Sequence, residues 1–253
     1  MELSLPGRNA FVTGSNGGLG SHFAQVLAEA GANVAIAARR LDSLAAVHQA
    51  ATASGRRVVA VALDVTNPSS VTDAIDEASA ALGPITIVVN NAGIAITKPL
   101  LEHTEEDWQQ VIEVNLNGAW RVAQAAARHM VGHGLGGSIV NVASILGLRV
   151  SAQVPSYAAS KAALIQLTKA MALELARHRI RVNALAPGYV ETGINREFFA
   201  SDAGHALIKR IPQRRIASPG ELDGALLLLA SDAGSYITGA VLAVDGGHLV
   251  NTL

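Results

Sequence analysis

The stretch Thr13-Gly14-Ser15-Asn16-Gly17-Gly18-Leu19-Gly20 decides the fold, because it separates a buried strand from a helix. Residues 9–13 before it form a short buried run, and residues 18–30 have helical periodicity. Glycines at such a junction allow a tight turn and let a pyrophosphate approach the free N–H groups of the helix N-terminus. Ordinary turns can also be rich in glycine, but the position after the first strand favours dinucleotide binding.

Strands and helices alternate along the rest of the chain. Buried β-branched runs predict strands at residues 9–13, 33–38, 58–63, 85–90, 138–143, 181–186 and 240–244. Amphipathic or Ala/Leu-rich patterns predict helices at residues 18–30, 42–54, 68–82, 106–132, 156–178 and 220–230. This alternation predicts an α/β protein of the Rossmann type, with a doubly wound, seven-stranded parallel sheet and helices on both faces.

The length of 253 residues suits a single domain over residues 1–253. Half of the residues are hydrophobic and only 15% are charged, so the chain can bury a large core and surface between subunits. Residues 189–216 follow a strand but have weak periodicity. Because ligands of doubly wound folds bind beyond the carboxyl ends of the strands, we expect this insertion to be a substrate lid.

Composition excludes several classes of protein. A net charge of −1 with no basic run argues against binding to nucleic acid or to an anionic membrane. The chain has no cysteine, which excludes a disulfide scaffold, a Cys-ligated zinc site and a thiol nucleophile. None of the eight histidines has a metal-binding spacing, and His22 and His248 are expected in solvated or core positions. No secretory signal or membrane-spanning run is evident, so we expect a cytoplasmic protein.

The end of the second strand bears on which dinucleotide binds. It runs Ile36-Ala37-Ala38-Arg39-Arg40 and lacks the carboxylate that would bind ribose hydroxyls and repel a 2′-phosphate. Arginine instead favours the phosphate, so this end predicts NADP(H), with Arg39 a better candidate than Arg40 and NAD(H) still possible. Asp64, after the third strand, is a candidate for the adenine edge, and a carboxylate that caps the turn is the alternative.

Two candidate catalytic residues lie at the start of a helical pattern. Tyr157 and Lys161 are four residues apart and therefore share one helix face. A free phenol titrates near about 10, and each unit of depression needs about 1.4 kcal/mol, which a nearby ammonium could supply. Ser144 ends the fifth strand at the same sheet edge. Asn115 lies inside a helical pattern, where an amide often marks a buried polar contact or a helix distortion.

Taken together, these motifs resemble those of the short-chain dehydrogenase/reductase family, in its single-domain branch of about this size. The resemblance covers essentially the whole chain. The matching positions are Thr13-Gly14-x-x-x-Gly18-x-Gly20, Asn90-Asn91-Ala92-Gly93, Asn115, Ser144, Tyr157, Lys161, Pro187-Gly188, Thr192 and Asp245-Gly246-Gly247.

The resemblance implies a role for each of four residues. Tyr157 would be the general acid in reduction and the base in oxidation. Lys161 would lower the pKa of Tyr157 and bind the nicotinamide ribose. Ser144 would polarise the substrate oxygen, and Asn115 would hold a water of a proton relay. The implied cofactor contacts are Gly14, Ser15, Asn16, Gly18, Leu19, Gly20, Arg39, Arg40, Asp64, Val65, Asn91, Ala92, Gly93, Tyr157, Lys161, Pro187, Gly188, Val190 and Thr192.

The resemblance to the short-chain dehydrogenase/reductase family also favours NADP(H) as the cofactor. The acidic position of NAD-using members falls on Ala38, and the arginine of NADP-using members falls on Arg39. One departure weighs against it, because many NADP-using members carry a basic residue where this chain has Gly17.

The expected substrate is a small, mainly apolar ketone or alcohol, and a hydrophobic or acyl-chain ketone is favoured over a free sugar. Its candidate pocket wall consists of Ile145, Leu146, Gln153, Val154, Tyr189, Ile194, Phe198 and Phe199. Basic residues that would suit an acyl-carrier-protein substrate are sparse near the end of the helix before strand five, where Arg128 is the nearest, so that substrate is disfavoured but stays open. Relatives are mostly tetramers packed through the helices that carry Asn115 and Tyr157, so the resemblance implies a homotetramer.

Three functions compete. The leading one is an NADP(H)-dependent carbonyl reductase or alcohol dehydrogenase, of which a 3-oxoacyl reductase is one form. The second is an NAD-dependent alcohol dehydrogenase that works oxidatively. The third is a non-catalytic dinucleotide-binding sensor or scaffold, against which the joint presence of Ser144, Tyr157 and Lys161 argues.

Overall fold

One parallel sheet forms the centre of the molecule in the computed structural model, which describes residues 3–192 and 196–250. Its strands are β1 (Asn9–Thr13), β2 (Asn33–Ala38), β3 (Val58–Ala62), β4 (Ile87–Asn90), β5 (Gly137–Val142), β6 (Ile180–Pro187) and β7 (Val241–Val244). They lie in the order β3-β2-β1-β4-β5-β6-β7, and every neighbouring pair is parallel. The chain winds outward from β1 and then restarts at β4, so the predicted doubly wound, seven-stranded sheet is confirmed.

Helices cover both faces of the sheet. They are α1 (Gly18–Glu29), α2 (Ala45–Thr52), α3 (Pro68–Leu82), α4 (Glu105–Ile112), α5 (Ala119–Gly132), α6 (Pro155–Leu175), α7 (Arg196–Phe199), α8 (Asp202–Ile208) and α9 (Asp223–Ala230). Local signals define several of their starts. The Asn67 side chain accepts from the N–H groups of Ser69 and Ser70 ahead of α3, and Thr104 forms a capping box with Asp107 at the start of α4.

Alternate side chains of the central strands enter two separate cores. Val12 of β1 packs with α1, α2 and α9 on one face, whereas its neighbour Phe11 packs with α3, α5 and α6 on the other. Both side chains are completely buried. A strand whose two faces are covered must be apolar throughout, which explains the unbroken hydrophobic runs.

The predicted helix over residues 106–132 is interrupted. A π-helical stretch, Glu113–Gly118, separates α4 from α5. Such a stretch adds a residue to one turn and is frequent at functional sites. Asn115 is at its centre, so the distortion suspected at this amide is present.

The insertion over residues 189–216 contains α7 and α8. Its ends are joined by an isolated bridge between Val190 and Ala217, with a hydrogen bond of 2.8 Å from the Glu191 N–H to the Ala217 carbonyl. Ile194 lies outside the described residues. The role of this segment as a lid stays a prediction. Within residues 3–192 and 196–250, no helix is both long and apolar enough to cross a membrane.

Candidate active site

The loops that follow β1 and β4 are tied together at the carboxyl edge of the sheet. The Asn91 side-chain amide donates to the carbonyl oxygens of Thr13 and Gly14, at 3.1 and 3.2 Å. In return, the Thr13 hydroxyl accepts from the N–H groups of Asn91 and Ala92, both at 3.0 Å. Because the winding of the sheet reverses between β1 and β4, these bonds shape the crevice where this fold binds ligands.

The glycine-rich loop is built so tightly that only glycine fits at two positions. Gly14 has a φ of +65°, and a Cβ there would lie 2.9 Å from the Ala92 Cα. A Cβ on Gly20 would lie 2.2 Å from the Gly14 carbonyl oxygen. Gly17 precedes α1 and caps it with no side chain, so the N–H groups of its first turn can bind an anion. The loop therefore fits a dinucleotide pyrophosphate.

Ser15 differs from the other predicted cofactor contacts in this loop. Its hydroxyl donates to the Val12 carbonyl at 2.7 Å, and its N–H donates to the Ala37 carbonyl at 3.1 Å. Ser15 is fully buried, so both groups point into the sheet rather than toward a ligand. In contrast, Asn16 and Gly18 are exposed and Leu19 is half-buried.

Two arginines stand at the end of β2, as predicted. Arg39 and Arg40 are both exposed. Asp64 is close enough to Arg39 for its charge to help lower the pKa of the carboxyl, but hydrogen bonds from Thr66 are the main cause. These bonds come from the Thr66 N–H at 2.9 Å and its hydroxyl at 2.7 Å. Asp64 therefore orders the turn after β3, and Val65 beside it is buried.

A cavity of about 520 Å³ runs from the glycine-rich loop to the base of the insertion. Gly18 lines it on one side, and Thr192 and Ser218 line it on the other. The structure thus brings together the predicted cofactor contacts at Gly18 and Thr192. Pro187 ends β6, Gly188 follows it, and Val190 is buried in the bridge to Ala217.

The four predicted catalytic residues come from three segments. Tyr157 and Lys161 lie in the first two turns of α6, Ser144 follows β5, and Asn115 lies in the π-helical stretch. The Ser144 hydroxyl is hydrogen-bonded to Tyr157 and accepts from the Leu146 N–H at 3.1 Å. The Lys161 Nζ lies 5.6 Å from the centre of the Tyr157 ring.

Burial controls the protonation of Tyr157 and Lys161. It raises the pKa of Tyr157, and the hydrogen bond from Ser144 offsets this rise only in part. Burial also lowers the pKa of Lys161 to about 8. The shift of Tyr157 is opposite to the one that the family resemblance implies. The reason is that desolvation disfavours the phenolate more than the neighbouring groups stabilise it.

Asn115 is completely buried, and both polar atoms of its side-chain amide form hydrogen bonds. Its Oδ1 accepts from the Ile94 N–H at 2.8 Å, and its Nδ2 donates to the Ile94 carbonyl at 2.9 Å and to the Ser160 hydroxyl at 3.1 Å. Asn115 therefore fixes the segment after β4 against α6, next to Lys161. The relay water that the resemblance implies stays a prediction.

The predicted substrate wall divides into core and accessible residues. Ile145 is buried, whereas Phe198 is 46% exposed and Gln153 is exposed with a φ of +66°. Tyr189 is half-buried and packs edge-to-face on Phe199, with 5.9 Å between ring centres. Leu146 and Val154 are half-buried as well, and Ile194 falls outside the described residues.

Sequence reasoning missed two polar residues beside this wall. Arg149 donates to the carbonyl oxygen of His248, and Ser151 is hydrogen-bonded to the Tyr189 hydroxyl. His248 is itself buried, with its ring 5.6 Å from that of Tyr189. Both missed residues lie between Ser144 and Tyr157 in the sequence, and that position was the available signal. No group of three metal-ligating side chains occurs in the described part of the chain.

Comparisons with known proteins agree with this geometry. A family model described as Enoyl-(Acyl carrier protein) reductase matches residues 14–248. The 2-dehydro-3-deoxy-D-gluconate 5-dehydrogenase of Escherichia coli (strain K12) is 39% identical over 248 residues, which are 98% of this chain and 97% of the relative. The cis-4-hydroxycyclohexanecarboxylate dehydrogenase of Sinomonas cyclohexanicum is 43% identical over 244 residues, or 95% and 96% of the two chains.

A solved structure is similar over the same length. It is a gluconate 5-dehydrogenase from Burkholderia cenocepacia J2315 in complex with NADP and tartrate. The identity is 40% and the TM-score is 0.94, with 99% of this chain and 98% of the other chain covered. At this likeness the two chains share the same fold.

Proposed function

This chain belongs to the short-chain dehydrogenase/reductase family, and we propose that it interconverts a small secondary alcohol and its ketone through Tyr157. It is an NAD(P)-dependent oxidoreductase that acts on CH–OH groups. One observation supports the assignment of Tyr157 and Ser144 as the groups that act on the substrate oxygen. The hydroxyls of Tyr157 and Ser144 are hydrogen-bonded to each other at the same sheet edge as the glycine-rich loop.

NADP(H) is the cofactor. It supplies or accepts the hydride when bound. Structural neighbours hold NADP, which supports this cofactor. The exposed Arg39 at the end of β2 would pair with the 2′-phosphate. Gly14 and Gly18 would hold the pyrophosphate, and Thr192 would contact the nicotinamide end. NAD(H) can occupy the same site without the arginine contact.

In reduction, two hydroxyls act on the substrate carbonyl oxygen. Ser144 donates a hydrogen bond to that oxygen, and Tyr157 transfers its proton to it as the carbonyl carbon receives the hydride. In oxidation, Tyr157 must first ionise, and its phenolate then takes the proton of the alcohol. The raised pKa keeps the Tyr157 phenol protonated at neutral pH, so the group is ready for reduction.

Lys161 and Asn115 support this proton transfer. The buried Lys161 ammonium lies beneath the Tyr157 ring and favours the phenolate at the moment when the proton leaves. Asn115 positions Ser160 and the segment at Ile94, which border Lys161. We therefore assign Asn115 as a positioning residue.

The substrate is a small molecule. The named relatives act on 2-dehydro-3-deoxy-D-gluconate and cis-4-hydroxycyclohexanecarboxylate, both with a secondary hydroxyl on a small carbon frame. Tyr189, Phe198 and Phe199 support an apolar wall on one side of that frame. We propose in addition that residues 189–216 act as the lid.

The homotetramer and the cytoplasmic location are further proposals. Exposed apolar side chains on the α4–α5 helices support an interface there, since Trp108 and Trp120 are each 42% exposed. The cytoplasmic location is proposed from the amino-acid sequence alone.

Fluorescence titration with NADPH and NADH, followed by assays with small secondary alcohols, tests the proposed function. We expect NADPH to bind at least about tenfold more tightly, which is about 1.4 kcal/mol. We also expect alcohol-dependent NADPH formation that a Tyr157→Phe variant loses. Failure to bind either dinucleotide would overturn the proposed function.

A further inference from the structure

Arg149 is placed to present an unused positive charge to the substrate. It lies in the loop between Ser144 and α6 and is exposed. Its N–H donates to the carbonyl oxygen of Ile145 at 2.9 Å, which anchors the backbone of the loop. One Nη atom donates to the His248 carbonyl, which holds the guanidinium against the turn after β7.

A guanidinium has five N–H donors. In the part of the chain that the structure describes, Arg149 uses one nitrogen for the His248 carbonyl and pairs with no carboxylate. The Arg149 guanidinium takes no part in the proton transfer through Tyr157, Ser144 and Lys161. A charged side chain that is oriented but unpaired is the arrangement that a bound anion completes.

The positive charge of Arg149 reaches two neighbouring side chains. Its own charge acts on Tyr189 and His248, and Arg210 also acts on His248. Asp245 is the carboxylate whose charge reaches His248. Both of its oxygens already accept backbone N–H groups, those of Gly247 at 2.9 Å and Leu249 at 2.7 Å. An anionic ligand at this position would be attracted by the exposed guanidinium of Arg149.

Tyr189 connects Arg149 to the reacting groups. It interacts electrostatically with Tyr157 on one side, and with the Arg149 charge and the Ser151 hydroxyl on the other. A substrate whose oxygen lies on Tyr157 and Ser144 would thus extend past Tyr189 toward Arg149. The far end of such a molecule meets one cation and two hydroxyl groups.

We propose that Arg149, Ser151 and Tyr189 form a carboxylate-binding subsite, so that the substrate is a hydroxy acid or keto acid. The carboxylate accepts from the Arg149 guanidinium and from the hydroxyls of Ser151 and Tyr189. The reacting carbon lies at the other end of the molecule, on Ser144 and Tyr157. This inference rests on the proposed function and adds the chemical class of the substrate.

The experiment compares a carboxylate with its neutral amide on the NADP-loaded enzyme. Isothermal titration with cyclohexanecarboxylate and cyclohexanecarboxamide measures binding. Turnover of 4-hydroxycyclohexanecarboxylate and its carboxamide measures specificity. In the wild type we expect the carboxylate to be preferred about tenfold or more in both measurements, because a hydrogen bond to a charged group stabilises it.

Arg149→Met keeps the length of the side chain and removes its charge. This variant should lose the preference for the carboxylate over the amide in both measurements. Arg149→Lys should retain part of the preference. Arg56→Met, a change of an exposed arginine after α2, is the matched control and should keep the wild-type ratio.

Two results would overturn the subsite. One is a wild-type enzyme that binds acid and amide equally, and the other is an Arg149→Met variant with an unchanged ratio. NADPH affinity and turnover of the neutral alcohol cyclohexanol report on the proposed function separately. An enzyme that oxidises cyclohexanol but ignores the carboxylate would retain the proposed function and lose the subsite.

Discussion

Lys161 donates a 2.7 Å hydrogen bond from its Nζ to the carbonyl oxygen of Val142, the last residue of β5. This bond ties α6 to the strand that leads into Ser144, and so it sets the distance between the Ser144 and Tyr157 hydroxyls. The ammonium is only 4% exposed, and its desolvation lowers the pKa of Lys161 to about 8. The active-site geometry is therefore held by a charge that the fold must bury at a cost.

Lys161→Met should change how stability depends on pH. In the wild type, the folded chain releases the Lys161 proton near pH 8, whereas an unfolded lysine releases it near about 10.4. Between these values the unfolded chain binds more protons, so this residue makes the folded state more stable as pH rises. We expect the wild type to gain about 2–3 kcal/mol relative to the variant between pH 7 and 10. Urea unfolding at both pH values measures the difference.

Lys169→Met is the control for that experiment, because Lys169 is exposed on the same helix. Its unfolding free energy should run parallel to that of the wild type across the pH range. A Lys161→Met curve that is also parallel would show that burial does not shift the lysine.

Tyr157→Phe should remove proton transfer without disturbing the fold. We expect kcat to fall by about 10²–10⁴, the usual contribution of a positioned general acid. The NADPH dissociation constant should stay within a few-fold, since the ring remains in place. Tyr236→Phe, a change of a fully exposed tyrosine, should leave both values unaltered. A Tyr157→Phe enzyme with most of its turnover would contradict the mechanism.

The titration of Tyr157 itself is a separate test. Because burial raises the pKa of this phenol, the cofactor-free protein should ionise it only above pH 10. The measurement is the absorbance at 295 nm of the wild type minus that of Tyr157→Phe. A difference signal with a midpoint near neutrality would mean that Lys161 outweighs desolvation.

Sequence alone predicted the elements whose signals are local. The bounds of β1 and β2 agree with the prediction residue for residue, and so do those of α3, which Asn67 and Pro68 begin. These signals depend on side chains within a few residues of one another. The π-helical stretch Glu113–Gly118 could be suspected from Asn115 but not located, because its partner Ile94 lies 21 residues away in the chain.

In the candidate site, too, residues with a local sequence signal could be predicted, whereas residues positioned by distant parts of the chain could not. Tyr157 could be found from its four-residue spacing to Lys161, and Ser144 from its position at the end of the fifth predicted strand. Arg149 could not, because its partner His248 lies 99 residues further along and no motif contains either residue. The inward position of Ser15 was equally hidden, because its N–H donates to the carbonyl oxygen of Ala37 on the neighbouring strand β2.

Arg39→Asp should change the choice of dinucleotide. The guanidinium would pair with a 2′-phosphate, whereas an aspartate would repel the phosphate and bind ribose hydroxyls. We expect the NADPH dissociation constant to rise at least about tenfold, or about 1.4 kcal/mol, and that for NADH to change far less. Arg40→Asp makes the same charge change one residue later and should have the smaller effect. Equal losses for the two dinucleotides would mean that Arg39 is merely solvated.

Gly20→Ala should weaken both the fold and dinucleotide binding. The added Cβ would lie 2.2 Å from the Gly14 carbonyl oxygen and 2.5 Å from the Asn91 Nδ2, so the two loops would have to separate. We expect a loss of about 1–3 kcal/mol in unfolding free energy and a fall of at least about tenfold in NADPH affinity. Gly17→Ala is the control for stability, because nothing lies within 4 Å of its added Cβ and its φ of 167° suits any residue. Equal stability of the two variants in urea would contradict the close contact between the glycine-rich loop and Asn91.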